Sequence, residues 1–444
     1  MPSETSTPLP SRIDLLAELK WRGMYHDAMP GTAEHLAGAA PVSGYIGFDP
    51  TAASLHIGNL ATIMLLVHLQ RAGHRPVALV GGATGMIGDP SGKSAERNLL
   101  DEATLRANQA GIQAQLEKFL EFNDSPTGAR LVNNYDWFKE FGFLQFLRDV
   151  GKHLTVNYML AKDSVKRRIG GTEDGSSEGI SYTEFSYQLL QGYDFYHLYK
   201  ELGCTLQMGA SDQWGNITTG TELIRRLGGP EAKVYALTGQ LITKADGTKY
   251  GKSETGTVWL DPALTSPYQF YQFFLRADDA DAPRLIRVFT LLSQAEIAAL
   301  EAEHALNPAL KILQKALAKD VTIRVHSEAA YKIAVATSEV LFGGGDPRTL
   351  DEATLVGMFT SIPHLRVPRA EAEAQSVAVL LSETTARQIL PSRGEVRKLI
   401  QANGLSINGE KLTSPETQVS ALPTLHGRYL VVKKGKSFFL VELS

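Results

Sequence analysis

The chain has 444 residues, a formal net charge of −4 and one cysteine, Cys204; 43% of it is hydrophobic and 21% charged. That is the profile of a soluble globular protein with room for two or three cored domains, and one cysteine excludes an internal disulfide and a multi-cysteine zinc centre. Residues 1–10 are polar and proline-rich without an apolar core, and no apolar run reaches membrane-spanning length, so the expectation is a cytoplasmic protein with no membrane segment.

The first informative stretch is Tyr45–Asn59. Val42, Tyr45, Ile46 and Phe48 are β-formers stopped by Asp49-Pro50, which predicts a strand. Leu60, Ile63, Met64 and Val67 fall at i, i+3, i+4 and i+7, which predicts a helix, with Ser54 as its cap. His56 and Asn59 then stand in the first helical turn, where unpaired N–H groups and the positive dipole end suit a phosphate. Gly58 leaves room for close approach. A histidine at that position serves equally well as a cap.

Residues 75–82 predict a second strand, leading into Gly81-Gly-Ala-Thr-Gly-Met-Ile-Gly-Asp-Pro-Ser-Gly-Lys-Ser94. The dinucleotide pattern fails at Ala83, and the P-loop pattern fails because Ile87 stands five residues before Gly92-Lys93-Ser94. Asp89, Lys93 and Arg97 nevertheless follow a strand end, the place where open α/β sheets bind ligands.

Helices are predicted at about 101–121, 136–150, 160–169 and 181–202, with a strand near 130–134. On the 181–202 helix, Tyr187, Gln191 and Asp194 recur at i, i+4 and i+7, so they share one face. That face is either solvated or the wall of a polar pocket. Cys204–Met208 reads as a strand, followed by Gly209-Ala-Ser-Asp-Gln-Trp-Gly-Asn216 and another helix; Val234–Leu237 reads as a further strand. The polar loop 243–256 carries Lys244, Lys249 and Lys252, which can either meet phosphates as point charges or form an exposed basic loop.

From Ser266 to Phe342 the pattern is helical, including a long run over 310–341, and 367–375 reads as a linker. The last segment predicts a helix at about 392–402 with a Ser392/Glu395 capping box, then strands near 405–408, 428–433 and 437–442. From Pro391 onward eight Lys/Arg oppose four acids, a net +4 that leaves −8 on the rest of the chain. A basic end on an acidic body suits either an RNA contact or a solvated surface.

Taken together, these stretches resemble the bacterial-type tyrosyl-tRNA synthetases, a family of class I aminoacyl-tRNA synthetases. His56-Ile-Gly-Asn59 is similar to the first class motif, usually His-x-Gly-His. Lys249-Tyr-Gly-Lys-Ser253 is similar to the second, usually Lys-Met-Ser-Lys-Ser. Gly47-Phe-Asp-Pro-Thr51, Gly81–Gly85, Gly88-Asp-Pro-Ser-Gly92 and Ser211–Asn216 narrow the resemblance to the tyrosine enzymes. Near relatives sharing the motifs, the tryptophan enzymes and other adenylating nucleotidyltransferases, remain alternatives, as does a relative that has become a non-catalytic RNA-binding protein.

The resemblance implies an α/β chain with a Rossmann-like parallel-sheet catalytic domain at 1–264, a helical anticodon-binding domain at 265–366, the linker at 367–375 and a small α+β S4-like RNA-binding domain at 376–444. It implies ATP with Mg2+ as substrate complex and no tightly bound cofactor or protein metal site. The implied partners are L-tyrosine, tRNA(Tyr) and a second copy in a homodimer; the Phe/Leu-rich stretch at Phe138, Phe141, Phe143, Phe146 and Leu147 fits a dimer face or a core. Carried over by position, Thr51, His56 and Asn59 meet the phosphates, with Asn59 replacing the usual second histidine, and Lys93, Arg97, Lys249 and Lys252 bind departing pyrophosphate. Asp89, Tyr187, Gln191 and Asp49 surround the tyrosine ammonium group. Tyr45 and Asp194 read its hydroxyl, Gln207 lines the same pocket and Gln213 lies near the carboxylate. Gly58, Ala210 and Asp212 contact the nucleotide, and Arg393, Arg397, Lys398 and Lys411 contact RNA.

Overall fold

The computed structural model describes residues 13–89, 101–169, 179–243, 250–253, 256–342, 345–359, 362–435 and 437–444. The chain separates into two units. One comprises Met1–Asp261 with Ala277–Leu317, the other Pro262–Arg276 with Ala318–Ser444. No helix among the described residues is long and apolar enough to cross a membrane.

The first unit is built on a six-stranded sheet ordered β1-β6-β5-β2-β3-β4: β1 (Tyr25–Ala28), β2 (Ser43–Phe48), β3 (Arg75–Val80), β4 (Arg130–Asn133), β5 (Cys204–Ala210) and β6 (Tyr235–Gly239). β1 runs antiparallel to β6, and every other neighbour pair is parallel. Strands β2 and β3 are buried almost throughout, which is why they read as nearly continuous apolar runs. The chain moves from β2 outward to β4, then returns to the other side of β2 for β5 and β6. That reversal puts a crevice at the carboxyl ends of β2 and β5.

The helix Ile57–Arg71 follows β2. It is buried along far more than its predicted face, with Ile63 through Leu69 all inaccessible, because it contacts the sheet and also the helices Leu15–Trp21 and Ala282–Phe289. Arg22, 1% exposed, ties these layers together. Its guanidinium donates to the carbonyls of Arg287 (2.7 Å), Thr290 (2.9 Å) and Leu292 (2.8 Å), and its Nε to Glu18 (2.7 Å). Two of those carbonyls lie at the carboxyl end of the helix Ala282–Phe289, where a cation satisfies unbonded acceptors and the helix dipole together. The Phe/Leu-rich stretch divides: Phe141 and Phe146 pack with Val150 and Tyr193, while Phe143 and Leu144 are 65% and 79% exposed.

The second unit carries a five-stranded sheet, β11-β10-β12-β13-β9, formed by β9 (His364–Val367), β10 (Leu405–Ile407), β11 (Glu410–Lys411), β12 (Tyr429–Lys434) and β13 (Ser437–Leu443). The run expected over 310–341 is two helices, Ile312–Val325 and Glu328–Phe342. The linker expected at 367–375 is a structured part of this unit. Val367 ends β9, which pairs in parallel with β13; Arg369–Glu373 is a short helix, and Ala372 is fully buried in the apolar cluster with Val377, Leu380 and Val441. The opposite face of the sheet is covered by Val340, Leu355, Met358 and Phe359 packing on Tyr429, Val431, Phe438 and Leu440. Both faces of a sheet whose strands start before residue 367 are therefore enclosed. The charged, alanine-rich composition of 367–375 suggested a linker because its few apolar side chains are the ones that turn inward.

Candidate active site

A cavity of about 770 Å³ opens at the carboxyl ends of β2 and β5. Its inner wall is the helix Tyr182–Leu202. Tyr187, Gln191 and Asp194 all line it, so the polar stripe is a pocket wall and not a solvated face. Tyr187 and Asp194 are only 5% and 2% exposed.

One end of the cavity holds Tyr45 and Asp194. The ring of Tyr45 lies 5.4 Å from that of Phe195, and its hydroxyl is buried with no hydrogen-bond partner among the described residues. Asp194 accepts from Trp137 Nε1 at 3.0 Å and from Asn134 Nδ2 at 3.1 Å. Burial raises its carboxyl well above the usual carboxylate range, against those two donors. Burial likewise raises the Tyr45 hydroxyl, and the nearby Asp194 carboxylate adds to it. A buried hydroxyl without a partner beside a buried carboxylate is an arrangement that a ligand hydroxyl would complete.

The neighbouring wall holds two more carboxylates. Asp49, just past β2, accepts from Thr84 Oγ1 at 2.7 Å and from Tyr187 Oη at 2.8 Å. Asp89 accepts from Gln213 Nε2 at 2.7 Å and from Asn216 Nδ2 at 3.2 Å, and Gln191 Nε2 reaches Gln213 Oε1 at 3.5 Å. Burial, then Asp49 and Asp89, raise the Tyr187 hydroxyl. Asn134, fully buried, also donates to Thr84 Oγ1 at 3.0 Å and accepts from the Ala83 amide at 2.7 Å. One hydrogen-bonded chain therefore runs Trp137–Asp194–Asn134–Thr84–Asp49–Tyr187 and joins both ends of the pocket. With negative charge concentrated on one wall, the cavity suits a small amphiphile with an ammonium group at one end and a hydroxyl at the other.

The mouth is formed by the start of the helix Ile57–Arg71. The cap is His56 itself, and not Ser54. Ser54 Oγ instead donates to the Leu55 carbonyl and accepts from Gln115 and the Asp261 amide. The His56 amide donates to Asn59 Oδ1 at 3.1 Å, so Asn59 fills the acceptor role of a capping-box side chain and keeps its amide hydrogens to offer a ligand. A Cβ on Gly58 would sit 2.7 Å from His56 Cε1: the space left by the glycine is taken by the imidazole. Thr51, Ala210 and Asp212 also line the cavity, the last two at the β5 end and the turn Ser211–Gln213.

Gln207 differs from the sequence expectation. It is 1% exposed, stands opposite Tyr45 in the β2–β5 register and is not part of the cavity lining. It backs the wall: a Cβ on Gly220 would lie 3.0 Å from Gln207 Oε1 and from Phe195 Cδ1, so the side chain ends against the helix Trp214–Gly228, a depth that local windows do not show. Lys93, Arg97 and Lys249 lie outside the described residues, and Lys252 is described only as backbone in β7 (Lys252–Ser253), a strand paired with β8 (Gly256–Thr257). Sequence reasoning missed Asn134, Trp137, Thr84 and Asn216. Asn134 follows directly on β4, so the strand-end rule that singled out Asp89 would have found it; Asn216 is the last residue of the Ser211–Asn216 motif.

In the second unit, Arg393, Arg397, Lys398 and Lys411 are exposed. Three of them hold carboxylates: Arg393 grips Glu383 with two bonds (2.8 and 2.7 Å), Arg397 meets Glu416 at 3.1 Å and Lys398 meets Glu395 at 2.9 Å. Lys411 and Lys433 instead line a cavity of about 360 Å³ with Asn403 and Ser406.

The family model of the class I tRNA synthetases (W and Y) matches residues 38–343, and that of the tyrosine–tRNA ligase SYY-like C-terminal domain matches 356–441. The second match begins ahead of β9, in keeping with the absence of a linker at 367–375. The tyrosine–tRNA ligase of Cytophaga hutchinsonii is 58% identical over 436 residues, 97% of this chain and 100% of its own. That of Porphyromonas gingivalis is 58% identical over 435 residues, 97% of this chain and 99% of its own. Among solved structures, a C-terminally truncated mitochondrial tyrosyl-tRNA synthetase from Aspergillus nidulans superposes with a TM-score of 0.65 at 29% identity, covering 74% of this chain and 95% of that one. The Archaeoglobus fulgidus tyrosyl-tRNA synthetase, at 17% identity and a TM-score of 0.51, shares the fold. With the motif-bearing crevice at the switch of a parallel sheet and near-full-length likeness to these ligases, the chain belongs to the tyrosine–tRNA ligases, within the class I aminoacyl-tRNA synthetases.

Proposed function

We propose that this chain activates L-tyrosine with Mg-ATP and transfers the tyrosyl group to tRNA(Tyr), with the cavity of the first unit as the site of both steps. The observation that carries the reading is the pair of pocket ends: the Tyr45 hydroxyl, without a partner among the described residues, beside Asp194, and the Asp49/Asp89 wall beside Tyr187. Tyrosine presents a phenol and an ammonium group at matching ends. Phenylalanine would leave the buried polar groups unpaired, and that mismatch discriminates. Tryptophan has no hydroxyl for this pair.

In the first step a carboxylate oxygen of tyrosine attacks the α-phosphorus. The bond from that phosphorus to the bridging oxygen breaks, and pyrophosphate leaves. In the second, a ribose hydroxyl at the tRNA 3′ end attacks the acyl carbon and AMP leaves. The protein need not become covalently modified; orientation and charge placement carry the catalysis. Asp49, Asp89, Tyr187 and Gln191 hold the ammonium group and Gln213 orients the carboxylate. His56, Asn59 and Thr51 meet phosphate oxygens, and Lys93, Arg97, Lys249 and Lys252 take the departing charge. Asp212 and Ala210 contact the ribose, with Gly58 beside them.

The tRNA is engaged by residues 265–366 for the anticodon and by the basic C-terminal surface, where Lys411 and Lys433 on the sheet join Arg393, Arg397 and Lys398 on the helix Arg393–Gln401. A homodimer is supported by the exposed large apolar side chains of Phe143, Leu144 and Val156, which a second copy would bury. The setting is cytoplasmic, without membrane attachment. The test is amino-acid-dependent ATP–pyrophosphate exchange with tyrosine, tryptophan and phenylalanine, followed by charging of tRNA. Exchange that tryptophan supports better than tyrosine would overturn the reading.

A further inference from the structure

The two class motifs are joined by backbone hydrogen bonds. The Leu260 amide donates to the Leu55 carbonyl (2.8 Å), Ile57 to Val258 (3.1 Å) and Val258 to Gly251 (3.0 Å). The chain around Trp259 thus pairs antiparallel with that around His56, and their rings meet edge-on at 6.0 Å. Gly251 carries a φ of +102°, and a Cβ there would lie 3.1 Å from the Gly58 amide nitrogen. Both the left-handed backbone and the lack of room call for glycine, where the usual motif has serine.

What holds this assembly from behind is the helix Ala282–Phe289. Tyr250, the residue replacing the usual methionine, is 8% exposed and stacks on Phe289 with ring centres 5.9 Å apart at 26°. The Tyr250 amide donates to the Ile242 carbonyl at 3.1 Å, and one turn earlier on the same helix the Arg284 guanidinium donates to the carbonyl of Thr243. The helix therefore grips the chain both before and after the stretch that carries the second motif's first lysine. Its own carboxyl end is in turn fixed by buried Arg22 through the Arg287 and Thr290 carbonyls.

We propose that Arg284, Tyr250 and Phe289 are positioning residues for adenylate formation: they set Tyr250–Ser253 against the first-motif turn, and so set where the motif's lysine charges act. None of the three acts on tyrosine itself. Charge on departing pyrophosphate counts in the transition state and not in amino-acid binding, so loss of position appears in kcat and not in tyrosine affinity.

This inference rests on the tyrosine-activating reading. The experiment uses the full chain and tyrosine-dependent ATP–pyrophosphate exchange with the KM for tyrosine measured alongside. Wild-type protein without exchange activity would remove the underlying reading, a result distinct from any failure of the positioning role. With an active wild type, Tyr250→Ala and Arg284→Gln are each expected to lower kcat at least tenfold while leaving the KM for tyrosine within twofold. Tyr250→Phe, which keeps the ring stack, stays within twofold of wild type in both. Arg284 is partly exposed at its side chain and pairs with Asp281 at 3.5 Å, so its replacement by the neutral Gln removes a charge and no apolar packing, and it serves as the second variant should Tyr250→Ala fail to fold. Unchanged kcat in Arg284→Gln, or kcat and tyrosine affinity falling together, would overturn the proposal, as would a Tyr250→Phe variant as impaired as Tyr250→Ala.

Discussion

The two units use charge in opposite ways. In the crevice of the first, Asp89 and Asp194 are buried, Asp49 is half-buried, and each is held by two side-chain donors. In the second, Arg393, Arg397 and Lys398 stand in solvent, each against one glutamate. A desolvated network acts as a unit, because removing one member strands its partners. Exposed pairs are screened and nearly independent. Selection of a small substrate therefore belongs in the first setting, and graded attraction to a polyanion in the second.

The sharpest way to break the comparison is Asp89→Ala. It strands Gln213 and Asn216 and removes a charge from the wall facing the ammonium group. The expected loss in kcat/KM for tyrosine is roughly a hundredfold, on the order of 3 kcal/mol; a folded variant within a few-fold of wild type would mean that the wall does not receive the ammonium group. Next is Asn134→Ala, which touches no substrate but cuts the chain linking Asp194 to Asp49. Loss of about 1–3 kcal/mol in stability is expected from the stranded buried groups, together with weaker preference for tyrosine over phenylalanine in exchange assays. A selectivity equal to wild type would show that the two ends of the pocket are not coupled through this amide.

Asp194→Asn separates function from stability. Burial raises the Asp194 carboxyl above its value in the unfolded chain, so the unfolded state ionises first as pH rises. The carboxyl's contribution to folding is thus fully present below the ordinary carboxylate range and is lost as pH climbs through the raised value. The amide has no such term. Urea unfolding across that range is expected to show the variant gaining on wild type as pH rises, while its discrimination against phenylalanine falls; a pH-independent difference would count against a raised carboxyl. The smallest effects belong to the second unit. Lys411→Ala or Lys433→Ala should weaken tRNA binding only a few-fold, lower the salt slope of log affinity by about one and leave tyrosine exchange untouched. A complete loss of charging from one such change would mean that the basic surface works as a network, as the crevice does.

These second-unit tests are point substitutions for a structural reason. Cutting the chain near residue 374 would leave β9 without β13 and expose Val340, Leu355, Met358 and Phe359, which the C-terminal sheet covers. A truncation there would confuse lost RNA contact with a lost core.

Much of this was legible in the amino-acid order. Strand-then-helix signals bounded β2, β3, β5 and the helices after them, because propensity, alternation and the 3.6-residue period are properties of a short window. The same period put Tyr187, Gln191 and Asp194 on one face, and the two motifs with the segments between them carried the family. Windows could not say whether that face met water or a cavity, nor that His56 and Asn59 would cap the helix in place of Ser54. They could not turn Gln207 behind the wall or bring Asn134 and Trp137 to Asp194, some 60 and 57 residues away along the chain. Nor could they fold 367–375 into a sheet completed by the last strand. Those outcomes depend on desolvation and on which distant donors arrive, and both are fixed only when β2, β5 and the helices around them pack together.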